Sequence, residues 1–476
     1  MTNPEGAAQA QDATVTRPAT PSALCDEPGA SRRLLSVCAL LTGLWLLVTP
    51  WLYGRVQQME VPHLRLEQSY EQWAEAMKGS DMEVYIRAGL GFAHGHGIAS
   101  WKVVHGVPFA IPWGFQGAGA PFLIGVVARV FGDQQVFPYF VVVCMMHLLT
   151  SFCVVLLASA YLRSLAALLA VGLLSLLCVP VFNIEFGWGL TGSEAPSELL
   201  FALSLLPLQR YWLAAGEDLK RTPLQAAGFG LFIALASYVR PTYQAFAMFT
   251  LACVALFTTR RRGWRNALLF MLVAFAMMRS IQHPWEARNQ RLFGQYSLAW
   301  SQYHGRALWV SLWTDWRLQA KWNPYGCMGW GDYLRPDLSK GIVDGIDANP
   351  REGSAVASRA LVRAVMAEPV KAFAFKLSGY DILWLGDTQY YPDIGKFCLF
   401  SLVSLGLAVC LRWRTLSPEV WLYPLFLVAL SVIIHYESRY AFPVYLVSTP
   451  IAVGMLMEMA WARFRRYVGK GNGPAL

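Results

Sequence analysis

The sequence predicts an all-α polytopic membrane protein with about ten transmembrane helices, and with interfacial amphipathic helices in two large outward loops. Composition is the first observation: 55% of the 476 residues are hydrophobic and only 14% are charged, whereas a soluble domain carries about a quarter charged residues. Secondly, the apolar residues form ten long runs. Thirdly, basic residues collect at the ends of those runs, as expected for segments that cross a bilayer.

The ten runs define the predicted spans. The first follows Arg32 and Arg33, and residues 1–33 read as a disordered cytoplasmic tail because they lack apolar periodicity. The long leader and the lack of a clear cleavage site favour a retained anchor over a cleaved signal peptide. The spans are Leu34–Tyr53, Val136–Tyr161, Leu165–Phe182, Glu198–Leu213, Leu224–Val239, Thr242–Phe257, Ala267–Ile281, Phe397–Leu411, Val420–His435 and Ala441–Ala460.

The positions of Lys and Arg test this topology. Basic residues follow every even-numbered span, for example Arg163, Lys220 and Arg412, and short cytoplasmic loops carry an excess of such residues. Both termini are therefore predicted on the cytoplasmic side of the membrane. The net charge of +9 is explained by membrane orientation, so no nucleic acid is expected as a partner.

The opposite side of the membrane holds the large polar segments. The predicted organisation is a transmembrane module over 34–281 that contains a first outward catalytic loop at 54–135, a second outward loop at 282–396, C-terminal helices over 397–460 and a basic cytoplasmic tail at 461–476. Helical apolar spacing within these loops, at Pro121–Phe131 and Ala355–Leu385, predicts helices lying in the interface. Packing on a small extramembrane domain is the alternative.

Acidic residues on the outward side are the first candidates for chemistry, because an ionisable residue at a membrane is costly unless it is paired or hydrated. Asp81 and Glu83 lie in the first outward loop, and Glu194 and Glu198 stand where the fourth span begins. A carboxylate there can take a proton from an attacking hydroxyl or hold a divalent cation. The sequence leaves a metal requirement undecided. A helix cap is the structural alternative for Asp81.

Basic residues on the same side form the second set of candidates. Arg240, Arg288 and Arg439, the last followed by Tyr440, occupy outward turns and loops. Arginine binds phosphate oxygens with two parallel hydrogen bonds. These residues therefore suit a substrate that carries phosphate at the membrane surface. Pairing of Arg439 with Glu437, or extension of Arg288 towards head groups, is the alternative for each.

These residues resemble the GT-C superfamily of polytopic glycosyltransferases, including bacterial protein mannosyltransferases and the lipid A aminoarabinose transferase. The landmarks occur in the family's order along nearly the whole chain. They are Asp81 through Tyr85 and Ala88 to Gly95-His96-Gly97, then Ser193-Glu194 and Ser197-Glu198, Arg240-Pro241, Arg288-Asn289 through Gly294, and Arg439-Tyr440 with Pro443. Met82 separates the two acids that are adjacent in many members.

The resemblance implies transfer of a sugar from a polyprenyl-phosphate-linked donor to a lipid, glycan or protein acceptor on the non-cytoplasmic face. It also implies that the membrane is a bacterial inner membrane. It implies that Asp81, with Glu83 as the other candidate, is the catalytic base. Glu194 and Glu198 would position the acceptor or a cation, and the arginines with Tyr440 would hold the donor phosphate. A transporter or lipid flippase, and a membrane scaffold, are the alternative functions.

Overall fold

The structure is a computed structural model. It describes residues 29–58, 65–78, 81–104, 107–114, 117–186, 193–214, 219–298, 392–412, 418–433 and 441–471, with a few positions between 359 and 370. The predicted tail at 1–33 lies almost wholly outside these residues, and so does most of Ala355–Leu385.

Helices make up most of the described chain. In order, they are α1 (Ala30–Gln58), α2 (Tyr70–Ala76), α3 (Asp81–Ala93), α4 (Gly119–Phe131), α5 (Phe137–Ser159), α6 (Leu165–Phe186), α7 (Glu194–Leu213), α8 (Thr222–Val239), α9 (Thr242–Arg262), α10 (Trp264–Phe293), α11 (Pro392–Arg412), α12 (Pro418–Ile433) and α13 (Thr449–Gly471). A single π-helical turn, Val444–Ser448, precedes α13.

Each of the ten predicted spans coincides with one of these helices over its described part. Six helices of the described chain are both long and apolar enough to cross a membrane: α1, α5, α8, α9, α10 and the last helix together with its π turn. The described parts of α6, α11 and α12 include shorter apolar stretches. The chain is therefore an all-α, multi-pass membrane protein in outline, and the count of ten spans stays a prediction.

Helix α10 runs further than the sequence predicts. The seventh span was expected to end at Ile281, where Pro284 and several charged residues follow, but the helix continues to Phe293 and ends at Gly294, whose φ of 71° is left-handed. The charged residues are accommodated because Arg279 pairs with Glu286 on the same helix, with nitrogen to oxygen distances of 2.9 and 2.5 Å. The predicted boundary of the second outward loop at 282 therefore falls inside a helix.

A β-hairpin in the first outward segment departs from the predicted all-helical structure. Strands β1 (Ala99–Val104) and β2 (Val107–Pro112) pair antiparallel, with Lys102 opposite Phe109. Only His105 and Gly106 separate the strands, and two apolar runs joined by two residues that include Gly are typical of a hairpin. The sequence interpretation missed this signal and assigned no strand.

Close backbone contacts bring the first outward segment together. Helix α3 packs on α4 through Gly89 and Gly125, because a Cβ on Gly125 would lie 2.6 Å from the Gly89 carbonyl oxygen. A Cβ on Gly91 would lie only 1.9 Å from the carbonyl oxygen of Ala99 at the start of β1. Glycine is therefore required where the hairpin crosses α3.

The same segment rests on one end of the helix bundle. A Cβ on Gly117 would lie 1.9 Å from the Tyr238 carbonyl oxygen, and one on Gly119 would lie 2.6 Å from the Val239 side chain. Tyr238 and Val239 end α8. The segment that contains α3, the hairpin and α4 therefore covers the end of the bundle at which α8 terminates, and Arg240, the residue after Val239, lies at this end.

We expect Gly91→Ala to lower the free energy of unfolding by about 1–3 kcal/mol, because the new methyl group would force the backbones of α3 and β1 apart. Thermal unfolding of the detergent-solubilised protein measures this. Gly43→Ala is the matched control, since a Cβ on Gly43 in α1 would have no neighbouring atom within 4 Å, and alanine there should be neutral or stabilise by up to about 1 kcal/mol. Equal unfolding temperatures for the two variants would contradict the close packing.

Candidate functional site

A buried ion pair joins α7 to the junction between α8 and α9. The Arg240 guanidinium donates to Glu194 through Nη2 and Oε1 at 2.9 Å, and Glu194 is only 2% exposed. The chain forms this pair because Arg240 ends α8 in an extended conformation before Pro241 starts the next helix. Glu194 begins α7. Two predicted site residues, 46 positions apart in sequence, are therefore in direct contact.

Glu198 lies one turn further along α7 and is 3% exposed. Its Oε2 atom is buried and has no hydrogen-bond partner among the described residues. Arg240 already bonds to Glu194, so this group of three ionisable side chains holds one carboxyl group more than the guanidinium pairs with. Leaving a buried polar atom unpartnered is costly, and Glu198 is therefore suited to accept a hydrogen bond from a ligand.

Aromatic residues surround these charges. The Tyr243 and Tyr423 rings both lie within electrostatic range of Glu198 and Arg240, and their ring centroids are 6.3 Å apart. Phe201, one turn below Glu198 on α7, contacts both rings at 5.4 and 5.0 Å. The site therefore combines a few charged groups with a rigid apolar and hydroxyl-bearing wall, as ligand sites commonly do.

Glu83, in the first outward segment, belongs to a second charged cluster. The buried Arg87 guanidinium donates through Nε to Glu83 at 2.7 Å, and it also donates to Glu75 and to Glu71, the latter at 3.5 Å. Glu71 and Glu75 belong to α2, whereas Glu83 and Arg87 lie one turn apart on α3. Arg87 therefore holds α2 against α3.

The pKa of Arg87 reflects this environment. Burial alone would lower it, but the hydrogen bonds and charges of Glu83 and Glu75 outweigh burial and hold the pKa of the guanidinium above its ordinary value. Arg87 thus stays charged at every physiological pH. Glu83 has a second cationic neighbour, since Lys102 Nζ on β1 lies 3.8 Å from its Oε1.

Arg288 connects the hairpin to α10. Its Nη1 donates to the Trp113 carbonyl oxygen at 2.7 Å, and its Nη2 donates to the Ile98 carbonyl oxygen at 3.3 Å. Its guanidinium carbon lies 4.2 Å from the centroid of the Trp285 ring. Within α10, Nη1 also donates to the side-chain oxygen of Asn289 at 2.9 Å. The described partners of Arg288 outside its own helix are thus backbone carbonyl groups.

The predicted site residues are therefore only partly brought together. Glu194, Glu198 and Arg240 form one cluster, and Glu83 and Arg288 both contact the hairpin region from different helices. Asp81 is the first residue of α3, but its side chain lies outside the part that the structure describes. Arg439 and Tyr440 also lie outside the described residues.

Sequence reasoning missed Arg87 and Lys102. The four-residue spacing of Glu83 and Arg87 is typical of an ion pair on a helix, so Arg87 could have been found once 81–93 was assigned as a helix. Lys102 carried no such signal, because its partner is reached only through the hairpin. Tyr243 and Tyr423 also carried no signal in the sequence, since helix packing alone brings them beside α7.

No group of three or more His, Cys, Asp or Glu side chains among the described residues could hold a metal ion. The unpartnered oxygen of Glu198 is suited to a ligand, but Glu194 already bonds to Arg240. The residues that the structure describes therefore do not form a metal centre by themselves.

Comparison with known proteins identifies the fold. No protein-family model matches the chain, and no curated protein matches it significantly. Among solved structures it is similar to the archaeal oligosaccharyltransferase AglB from Archaeoglobus fulgidus in complex with an inhibitory peptide and a dolichol-phosphate, with a TM-score of 0.51 and 13% identity over 94% of this chain and 53% of that chain. The apo form of the Archaeoglobus fulgidus oligosaccharyltransferase gives a TM-score of 0.51 and 14% identity over 92% and 52%.

The chain spans about half the length of these two structures. Both are oligosaccharyltransferases, and at 13 and 14% identity the likeness concerns the fold. The resemblance predicted from the sequence is confirmed at that level.

We expect Arg240→Gln to lower the free energy of unfolding by about 3–5 kcal/mol, because it leaves the buried Glu194 carboxylate without its cation. Glu194→Gln/Arg240→Gln should recover part of this loss, since neither charge then remains. A double-mutant cycle in thermal or denaturant unfolding measures the coupling. Additive effects of the two single substitutions would show that the pair contributes no coupling.

Proposed function

We propose that the protein is a membrane glycosyltransferase that moves a sugar from a polyprenyl-phosphate-linked donor to an acceptor hydroxyl outside the cytoplasm. The observation that carries this proposal is the buried cluster of Glu194, Arg240 and the unpartnered Glu198 at one end of a bundle with a GT-C fold. The neighbouring structure that holds dolichol-phosphate and a peptide supports a lipid-linked donor and a separate acceptor.

In the proposed reaction Asp81 is the general base. It takes the proton from the acceptor as the acceptor atom bonds to the anomeric carbon of the sugar, and the bond between that carbon and the phosphate oxygen breaks with inversion. The polyprenyl phosphate leaves with the bonding electrons. Glu83 is less suited to act as the base, because Arg87 and Lys102 both engage its carboxylate, and a paired carboxylate is a weaker base.

Arg240 holds the donor phosphate in this proposal, together with Arg439 and Tyr440. A guanidinium beside the leaving phosphate stabilises the negative charge that develops as the glycosidic bond breaks, and preorganised electrostatic stabilisation of this kind often contributes more to catalysis than any other effect. The ion pair with the buried Glu194, which holds the guanidinium at the α8–α9 junction, supports this role.

Glu198 positions the acceptor by accepting a hydrogen bond from it. Its buried oxygen has no partner among the described side chains, and a donor group of the acceptor would satisfy it. Acceptors that carry a hydroxyl group, whether lipid, glycan or protein, all meet this requirement. A divalent cation held by Glu194 or Glu198, the other role that the resemblance implies for these acids, stays a prediction.

We expect Asp81→Asn to lower the rate of sugar transfer by about 10²–10⁴-fold, the contribution typical of a general base. The assay uses purified protein in lipid vesicles with labelled polyprenyl-phosphate sugars and separates donor from product. Glu83→Gln is the control on the same helix, and its effect on the rate should be much smaller because its carboxylate serves Arg87.

Two results would count against the proposed function. Undiminished transfer by a folded Asp81→Asn protein would remove Asp81 from the mechanism. Movement of the labelled lipid across the vesicle bilayer, with no covalent product from any acceptor, would instead favour a flippase.

A further inference from the structure

The bonds of Arg288 meet at the neck of the hairpin, defined here as Ile98 and Trp113, the residues that flank β1 and β2. These two residues are themselves joined, because the Trp113 amide donates to the Ile98 carbonyl oxygen at 3.1 Å. Arg288 donates to both of their carbonyl oxygens, at 3.3 and 2.7 Å. One guanidinium on α10 therefore bonds to both chain segments at the open end of the hairpin.

Close packing around the neck fits the same arrangement. Gly114 follows Trp113, and a Cβ there would lie 2.3 Å from the Phe293 ring at the end of α10. The Trp285 ring lies beneath the guanidinium of Arg288 at 4.2 Å, and a cation over an aromatic face is held by the quadrupole of the ring. The neck is thus held on α10 by hydrogen bonds, an aromatic contact and the close approach of the Phe293 ring to Gly114.

The neck is also continuous with the acids of α3. Trp113 contacts Tyr85 of α3, with ring centroids 6.0 Å apart, and β1 crosses α3 at Gly91. Lys102 on β1 reaches Glu83, two residues after Asp81. A shift of the neck relative to α10 would therefore move α3 with it.

We infer that Arg288 is a positioning residue that fixes the hairpin neck, and through it α3 with Asp81, relative to the helix bundle. Its donors are directed to carbonyl groups of the neck in place of the substrate phosphate predicted from the sequence. This inference rests on the proposed function for its effect on catalysis, whereas the mechanical role of Arg288 stands without it.

Bonding to both carbonyl groups of the neck requires the shape of arginine. A planar guanidinium presents several donors in a fixed fork and can bond to two carbonyl oxygens at once, whereas the ammonium group of lysine is a compact point charge. Lysine remains a good ligand for phosphate. Arg288→Lys therefore distinguishes phosphate binding from positioning of the neck. It would preserve a contact with phosphate and weaken the bonds to the neck carbonyl groups.

The first test is amide hydrogen exchange of the substrate-free protein in detergent or nanodiscs, with peptides that cover residues 98–114. Arg288→Ala should speed exchange across the hairpin by about tenfold or more, as the loss of charge-assisted hydrogen bonds predicts, and Arg288→Lys should have a smaller effect in the same peptides. Arg291→Ala is the matched control: Arg291 is exposed on the same helix and its described bond is to the Ala287 carbonyl oxygen. Amide exchange in the hairpin of the Arg291→Ala variant should equal that of the wild type.

Steady-state transfer provides the second test. A positioning role predicts that Arg288→Lys lowers kcat by about tenfold or more while KM for the lipid-linked donor stays within about twofold. The reason is that a displaced Asp81 removes the proton less well, and this interaction is made only in the transition state. A phosphate ligand predicts the reverse, with KM raised in Arg288→Ala and largely restored in Arg288→Lys.

Each outcome decides the inference. Faster amide exchange in the hairpin, with a loss confined to kcat, supports the positioning role of Arg288. Unchanged exchange in both Arg288 variants overturns that role whatever the activity. Should Arg288→Ala not fold, Arg288→Lys alone carries both readouts. Should the wild type transfer no sugar, the proposed function fails, whereas the exchange experiment still supports or overturns the mechanical role of Arg288.

Discussion

Charged side chains inside a helix bundle that faces lipid must find partners within the protein, and this requirement organises the described structure. An unpaired charge is costly in an apolar medium, while a paired and hydrogen-bonded one is tolerated. Glu194 meets the requirement through Arg240, and Glu286 meets it through Arg279. Within the first cluster, as far as the structure describes it, Glu198 keeps an oxygen without a partner, which is why it stands out as a ligand-binding group.

The first outward segment is joined to the bundle by a different kind of interaction. Arg87 links α2 to α3 through ion pairs, glycines allow the hairpin and α4 to approach neighbouring backbones, and Arg288 bonds to the hairpin neck. Arginine therefore serves three purposes in this protein: it neutralises a buried acid, it gathers several acids around one guanidinium, and it bonds to backbone carbonyl groups. The residue type alone does not reveal which purpose a given arginine serves.

Prediction from the sequence succeeded where one segment suffices to decide the structure. Apolar runs such as Val136–Tyr161 became helices because their length and composition leave a lipid-facing chain few alternatives. It failed at α10, whose charged residues resemble a loop until Arg279 and Glu286 are seen to pair. It also failed at the hairpin, because a six-residue apolar run can be either a strand or part of a helix.

The sequence by itself determined that the chain is an all-α membrane protein in outline, and that acids and arginines collect near the same ends of its apolar segments. These properties follow from local composition, since each segment must satisfy the bilayer on its own. Only the tertiary structure decided that Arg240 bonds to Glu194, that Arg87 gathers three carboxylates and that Arg288 bonds to the hairpin neck. Such pairings depend on which helices pack together, and residues far apart in the chain carry no local sign of the partner they will meet.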